Sequence, residues 1–421
     1  AQCLVGSEMC IRDSLYIIDQ CSSASLYGIG TYIQQIINIW RMDVCSALTI
    51  VKLESGTNVI EEGWSDGVRY LWFPSETEEE EMRHESYCLD LAESLRFCMN
   101  EEEDNIFLVN YLSHSELILN LKKIISSCRI IIVIHYVGWY TMKRRNGSYL
   151  ECLLGKVSTD RDATEKIVYK EFVANKDFFL KADRVVCLSE HTYNLLRNVY
   201  GIVEQKIRLL YNGLVDEARI LDIEQRKIQK GNLSFKVEDQ IILYVGRLNQ
   251  IKGVYYLINA FRKLLDCLPN VHLLVVGDGD YSAYLSECEG IWSHVTFTGR
   301  IRKEKLYQLY QISDIGVLPS LQEQCSYVAI EMMMHGIPLI GTASTGLEDM
   351  IQEGLNGYAI SIEDVDAYPE VFIEKLKSSM VRILSLSIDE KNAMRQQSRN
   401  VYLKHYTLNV MQEGMKELEW I

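Results

Sequence analysis

Glu323 and Glu331 are two carboxylates with seven residues between them, and Met332-Met333-Met334-His335-Gly336 follows. Glu323 comes after a strand-like run, Ile315 to Pro319. Glu331 is set in an apolar helical run, Tyr327 to Met334. A lone carboxylate there is costly to bury unless something hydrogen-bonds it. Two readings are open. Glu331 and His335, four apart, form the wet face of an amphipathic helix, or the carboxylates face a polar ligand. An earlier segment bears on that choice. Ile241 to Val245 reads as a buried strand, and it runs into a loop carrying Arg247 and Lys252 before Gly253. A helical pattern follows through Val254, Leu257, Ile258, Phe261, Leu264 and Leu265. An α/β sheet presents ligand-binding groups at the carboxyl ends of its strands. The planar fork of Arg and the point charge of Lys suit a diphosphate. The plainer alternative is two solvated loop cations.

Two cations on one loop and two carboxylates on a later one are what a nucleotide-sugar site requires. Here the chain resembles the retaining glycosyltransferases of the GT-B fold, in the large E-x7-E group (family 4-like, group 1). The segments that carry the resemblance are Tyr244-Val245-Gly246-Arg247, Lys252-Gly253, Leu273 to Gly279, Val295 to Gly299, Ser313-Asp314-Ile315, Glu323 to Glu331 and Gly354 to Gly357. The N-terminal half matches more loosely, through Gly28-Ile29-Gly30, Ile134-His135 and Ala182 to Ser189.

The resemblance implies an α/β architecture of two Rossmann-like domains whose parallel sheets face a cleft, with the last helix crossing back to the N-terminal domain. It implies that Arg247 and Lys252 hold the diphosphate and stabilise the leaving group. Glu331 would accept from the ribose hydroxyls and Glu323 would face the transferred sugar. The amides of Cys325, Ser326 and Tyr327, at a helix start, would favour an anion. Gly28 and Gly30 would let backbone approach the donor closely, and His135, ending a strand, would contact the donor sugar. A satisfied structural histidine is the competing reading of His135. Asn110 and His114 are weaker candidates for the acceptor side.

No cofactor or metal is expected. Asp278-Gly279-Asp280 has the outline of an Asp-x-Asp metal motif, but it follows Val275-Val276-Gly277 and reads as a tight turn. Retention of configuration follows from the resemblance alone. The chain departs from the family's pattern in three places: Gln324-Cys325-Ser326 after the first Glu, Ala343 to Gly346 with Glu348 where a Gly-Gly loop is usual, and the polar stretch from Lys143 to Asp162. Lys143-Arg144-Arg145 fits an anionic acceptor or peripheral contact with a membrane; a solvated loop is the plainer reading.

The 421 residues suffice for two domains. The expected division is 15–222, joined by a C-terminal helix at about 400–421, and 235–399, with a hydrophilic connection from Asp222 to Asp239. Strand and helix patterns alternate along both halves, as parallel α/β sheets require. A net charge of −15 leaves no electrostatic footprint for nucleic acid. No apolar run reaches the roughly 20 residues of a membrane-spanning helix. The twelve cysteines show neither metal spacing nor Cys-x-x-Cys pairs, which suits reduced thiols in the cytoplasm, with the inner membrane face as the peripheral option.

The expected activity is transfer of a hexose-type sugar from a nucleotide-diphosphate sugar to a glycan, lipid-linked or peptide acceptor in surface polysaccharide or glycoconjugate synthesis. A sugar-nucleotide 2-epimerase and a non-catalytic glycan- or partner-binding subunit are the alternatives. Arg247, Lys252, Glu323 and Glu331 together speak against the latter.

Residues 1–14 stand apart. Leu4 to Asp13 resembles a translated frame of a transposon-type sequencing adapter, has no strand or helix period, and is excluded from the fold. Deleting this segment is expected to leave stability within about 0.5 kcal/mol of the full chain, as read by thermal unfolding.

Overall fold

The computed structural model describes residues 14–22, 27–42, 47–75, 81–99, 104–139, 147–362 and 365–418. The chain divides into two compact units. One comprises Ala1–Leu188, Thr192–Leu210 and Gln412–Ile421; the other comprises Ser189–His191 and Tyr211–Met411.

The first unit holds β1 (Ser14–Gln20), α1 (Gly28–Met42), β2 (Ala47–Ser55), β3 (Glu61–Ser65), β4 (Val68–Pro74), α2 (Glu81–Phe97), β5 (Asn105–Val109), α3 (Ser115–Ile124), β6 (Cys128–Ile134), α4 (Gly147–Gly155), α5 (Ala163–Lys181), β7 (Arg184–Cys187), α6 (Glu190–Asn198, whose first residues count with the second unit) and β8 (Ile207–Leu209). The sheet order is β3-β4-β2-β1-β5-β6-β7-β8, parallel except for the β3/β4 hairpin. Its central strands are continuous apolar runs, as in parallel sheets covered on both faces. Ile106 to Val109 are fully buried. Tyr16, Ile18, Val51, Phe107, Val109, Ile130 and Ile132 alternate along their strands and join one core with α2, α3 and α5.

The second unit holds α7 (Ile223–Asn232), β9 (Gln240–Val245), α8 (Val254–Leu265), β10 (Val271–Val276), α9 (Ser282–Leu285), β11 (Val295–Gly299), α10 (Lys303–Ile312), β12 (Ile315–Leu318), α11 (Tyr327–Met334), β13 (Leu339–Thr342), α12 (Leu347–Met350), β14 (Gly357–Ile360), α13 (Pro369–Leu384), α14 (Ile388–His405) and α15 (Leu408–Lys416), the last straddling the division at Met411. Its six strands run β11-β10-β9-β12-β13-β14, all parallel. The order reverses between β9 and β12, so their carboxyl ends form the crevice where such sheets bind ligands.

The structure differs from the sequence reading in four places. Ser14 is buried in β1 and donates its N–H to the Asp104 carbonyl at 2.9 Å, so the excluded segment must stop at residue 13. Residues 1–13 lie outside the described residues, as do Lys143, Arg144 and Arg145. The hairpin strand β3 went unread because Glu61-Glu62-Gly63-Trp64-Ser65 is polar and largely exposed. The expected connection at 222–239 contains α7, capped by Asp222 and Gln225 in a reciprocal pair and lying in the second unit. The pattern from Leu384 to Ser398 reads as one helix, whereas α13 ends at Leu384 and Ser387 caps α14, which begins at Ile388.

Gly253 shows how the fold aims the site. It sits at φ +70°, a left-handed conformation that glycine adopts without penalty, and a Cβ there would lie 2.1 Å from the Pro319 carbonyl oxygen. That contact presses the β9 loop against the end of β12. Gly253→Ala is expected to destabilise by about 2 kcal/mol or more. Gly28→Ala, whose Cβ would meet nothing within 4 Å among the described residues, is expected to stay within about 0.5 kcal/mol of the native chain. Chemical denaturation of both variants checks the contrast.

Candidate active site

The loop after β9 is built by its backbone. Gly246 donates to the Val276 carbonyl at 2.9 Å and Leu248 to the Asp278 carbonyl at 2.7 Å. A Cβ on Gly277 would fall 1.8 Å from the Gly246 carbonyl oxygen, so the ends of β9 and β10 touch main chain to main chain. The Tyr244 hydroxyl donates to the Arg247 carbonyl at 2.7 Å. Asn249 accepts from the Lys252 N–H at 3.1 Å and closes the turn before α8. Arg247 is left exposed and Lys252 half-buried.

Lys252 turns towards the end of β12 and pairs with Glu323; each side chain is 19% exposed. Ser320 donates to the same Glu323 oxygen at 3.2 Å. The Glu323 main chain is clamped as well: the buried Thr345 hydroxyl donates to its carbonyl and accepts from its N–H at 3.3 Å. The two oppositely charged site residues thus meet across two loops at neighbouring strand ends.

Helix α11 starts just beyond. Ser326 is its N-cap and accepts from the Ala329 N–H at 3.4 Å. Cys325 is buried, its Sγ accepting from the Asn212 N–H at 3.4 Å and its carbonyl from Asn212 Nδ2 at 2.8 Å. Burial pushes that thiol up to about 12, so it stays protonated at neutral pH. Gln324 is buried too, accepting from the Ser189 hydroxyl at 2.9 Å.

Glu331 lies one turn further on, and the wet-face reading fails there. His335 is 2% exposed and is the C-cap of α11. Its Nδ1 lies 2.8 Å from the Glu331 carbonyl oxygen; a carbonyl only accepts, so Nδ1 carries the proton. Tyr307 meets the imidazole edge-on at 4.7 Å between centroids, and Tyr310 packs at 5.0 Å. Burial pushes the imidazole down to about 4. The Glu331 carboxyl accepts from the Tyr310 hydroxyl at 2.8 Å. Burial drives it up to about 7, with Tyr310 and Lys303 acting against that rise and Glu217 adding to it.

The first unit places its candidates separately. Gly28 and Gly30 are in the first turn of α1. His135 follows β6, and Tyr32 of α1 meets its ring at 4.8 Å. Asn110 donates to the Ile18 carbonyl at 3.2 Å, which leaves its oxygen for His135 Nε2 at 3.0 Å. Nε2 therefore carries the proton, and burial holds the ring neutral, pushed down to about 3. The side chain of His114 lies outside the described residues. Asp280 accepts from Ser282 N–H at 3.1 Å and hydroxyl at 2.6 Å, a local turn. No group of three metal-binding side chains occurs among the described residues.

Sequence reasoning missed Ser320, Tyr310 and Thr345. Tyr310 and Thr345 lie 21 and 22 positions from the glutamates they hold, so no local period marks them; α10 meeting α11, and the loops after β12 and β13 meeting each other, bring them together.

Residues 225–400 match the model of the family described as Glycosyl transferases group 1. An uncharacterized glycosyltransferase of Methanocaldococcus jannaschii is 29% identical over 44% of this chain and 48% of its own length. Spore coat protein SA of Bacillus subtilis is 31% identical over 47% of this chain and 57% of its own. The chain thus spans about half the length of the curated relatives it matches. Among solved structures, sucrose-phosphate synthase from Thermosynechococcus elongatus superposes with a TM-score of 0.75 at 18% identity, covering 97% of this chain and 98% of that one. HepE of Anabaena, in complex with UDP and glucose, gives 0.69 at 14% identity, covering 96% and 99%. The two sheets are those of the GT-B fold, and the match to the group 1 family model falls within the second unit.

Burial of Glu331 has a thermodynamic sign. Its carboxyl is raised from 4.5 to about 7 in the folded chain, so the unfolded chain loses that proton first as pH rises. Stability therefore falls across this window and stays reduced above it. Glu331→Gln is expected to exceed the native chain in stability by on the order of 1–3 kcal/mol at about pH 8, with the difference shrinking towards about pH 5. Denaturant midpoints at the two pH values measure it, and a pH-independent difference would refute the burial account.

Proposed function

We propose that the protein is a retaining glycosyltransferase that moves a hexose-type sugar from a nucleotide-diphosphate sugar to a glycan, lipid-linked or peptide acceptor, working in the cytoplasm or at the inner membrane face on surface polysaccharide or glycoconjugate synthesis. The observation that carries this reading is the Lys252–Glu323 pair, with the exposed Arg247 on the same loop as Lys252, at the carboxyl ends of β9 and β12, and a second, half-buried carboxylate at Glu331. The binding of UDP-glucose by HepE, a protein of similar fold, supports a nucleotide sugar as donor.

In this reading Arg247 and Lys252 take the diphosphate, and the α11 amides around Cys325, Ser326 and Tyr327 favour its charge. An arriving diphosphate competes with Glu323 for the Lys252 ammonium. Glu323 is then released to the hydroxyls of the sugar, while both cations stabilise the negative charge that builds on the departing nucleoside diphosphate. Glu331 accepts from the ribose. Gly28, Gly30 and His135 are assigned to the donor by family resemblance, His135 acting as a neutral ring whose Nδ1 is free of the Asn110 bond. Retention is likewise carried by resemblance. By the same resemblance, a displacement assisted by the leaving phosphate is preferred to a carboxylate nucleophile.

Arg247→Ala and Lys252→Ala are expected to slow transfer by about 100-fold or more, as for loss of one preorganised electrostatic donor, with folding retained. Glu331→Ala is expected to weaken nucleoside diphosphate binding, since ribose contacts are mostly uniform binding. Glu323→Ala is expected to leave that binding nearly intact and to lower turnover. Calorimetric titration beside initial rates separates the two; equal behaviour of the glutamate variants in both assays would sink the roles. Conversion of the nucleotide sugar with no acceptor present would favour a 2-epimerase.

A further inference from the structure

We infer that Tyr310 is a positioning residue of the donor site: its phenol engages one carboxylate oxygen of Glu331 and leaves the other for the ribose hydroxyls. This rests on Glu331 being the ribose ligand.

Tyr310 lies on α10 and is fully buried, and its hydroxyl is 2.8 Å from Glu331 Oε2. Burial keeps the phenol from ionising, so towards a carboxylate it can only donate. The ring is braced by His335, which is pinned in turn by its Nδ1 proton on the Glu331 carbonyl. Glu331 is therefore held at both ends, side chain by Tyr310 and main chain by His335.

The surroundings make the phenol matter. The titratable and charged groups facing this cluster are Lys303, Tyr307 and Tyr310 from α10, Asp216 and Glu217 from the segment before α7, His335, and Arg395, Arg399 and Tyr402 from α14. Arg399 is engaged with Asp216 and the Met334 carbonyl. Lys303 is engaged with Glu217. His335 is neutral near pH 7, its Nε2 buried without a hydrogen-bond partner. No cation is hydrogen-bonded to Glu331 among the described residues, and Tyr310 is the largest influence favouring its ionised form. A carboxylate accepts from two hydroxyls far better than a carboxylic acid does. Tyr310 thus sets both the direction of the acceptor oxygen and the pH range in which it serves.

The test is Tyr310→Phe, which keeps the ring and removes the donor. The carboxyl carbon of Glu331, identified in the NMR spectrum by its loss in Glu331→Gln, is titrated in native and variant protein without ligand. An alkaline move of its midpoint by about one pH unit is expected, the size of a lost hydrogen bond to a charged group. An unchanged midpoint overturns the inference. UDP-glucose is then titrated by calorimetry from about pH 5.5 to about pH 8.5, where its diphosphate has no proton to lose. Tyr310→Phe is expected to bind about three- to tenfold more weakly near neutrality and to approach the native affinity at the alkaline end. A loss equal at every pH would mean Tyr310 is merely structural. If the midpoint is unmoved while Glu331→Gln still weakens binding, the inference fails and the ribose reading survives. If Glu331→Gln binds like the native chain, the ribose reading fails and the donor-site role of Tyr310 goes with it.

Discussion

The second unit is organised around charge that must be kept away from water yet remain available. Lys252 and Glu323 solve this by pairing: each is mostly covered, and each supplies the other's countercharge. Among the described residues Glu331 has no such ion-pair partner. Its carboxylate is met by a phenol, which satisfies a hydrogen bond without cancelling the charge. Much of the local architecture follows from these two requirements, including the Thr345 clamp on Glu323 and the packing of Tyr307 and Tyr310 around His335.

Main-chain contact between loops is the second constraint. Charged side chains are long and flexible, and fixing them costs conformational entropy. Here the loops that carry them are fixed first. Gly277 and Gly253 permit backbone approaches that any side chain would block, so the turn after β9 is held by β10 on one side and by β12 on the other. Lys252 then reaches Glu323 from a loop that has little freedom left. Asn249 completes the turn with a side chain that accepts from the same residue's N–H.

Most of the parallel strands were legible because buried strands are unbroken apolar runs, as at Ile106 to Val109 and Ile241 to Tyr244. β3 was not, because an edge hairpin strand facing water loses that signal. The helix boundaries near Leu384 and Asp222 depended on caps, whose partners stand only three residues away and can be read locally. The placement of Arg247, Lys252 and Glu323 on loops after strands was legible from the apolar runs that precede them. Their supports were not: Ser320, Tyr310 and Thr345 are common polar residues in unremarkable contexts, and what makes them supports is the folded sheet. The wet-face reading of Glu331 and His335 shows the same limit. A spacing of four puts two side chains on one side of a helix, but which side faces water is set by α10.

Asp314 offers an internal comparison with Glu331. Both are carboxylates withdrawn from water in the same unit, one just before β12 and the other after it. Burial raises Asp314, but Arg226 and Lys230 outweigh that, aided by the Ile241 N–H, and hold it below its ordinary range. Both oxygens are occupied, Oδ1 by Arg226 at 2.9 Å and Oδ2 by Lys230 at 3.2 Å and Ile241 N at 2.8 Å. Such a carboxylate has nothing to offer a ligand; it ties α7 to the amino ends of β9 and β12. Glu331 has one neutral donor, a raised carboxyl and no hydrogen-bonded cation among the described residues. Were it only structural, the Asp314 solution would be the more stable one. In the proposed reading a ligand completes its shell, and the cost of leaving Glu331 under-compensated in the free chain is then understandable.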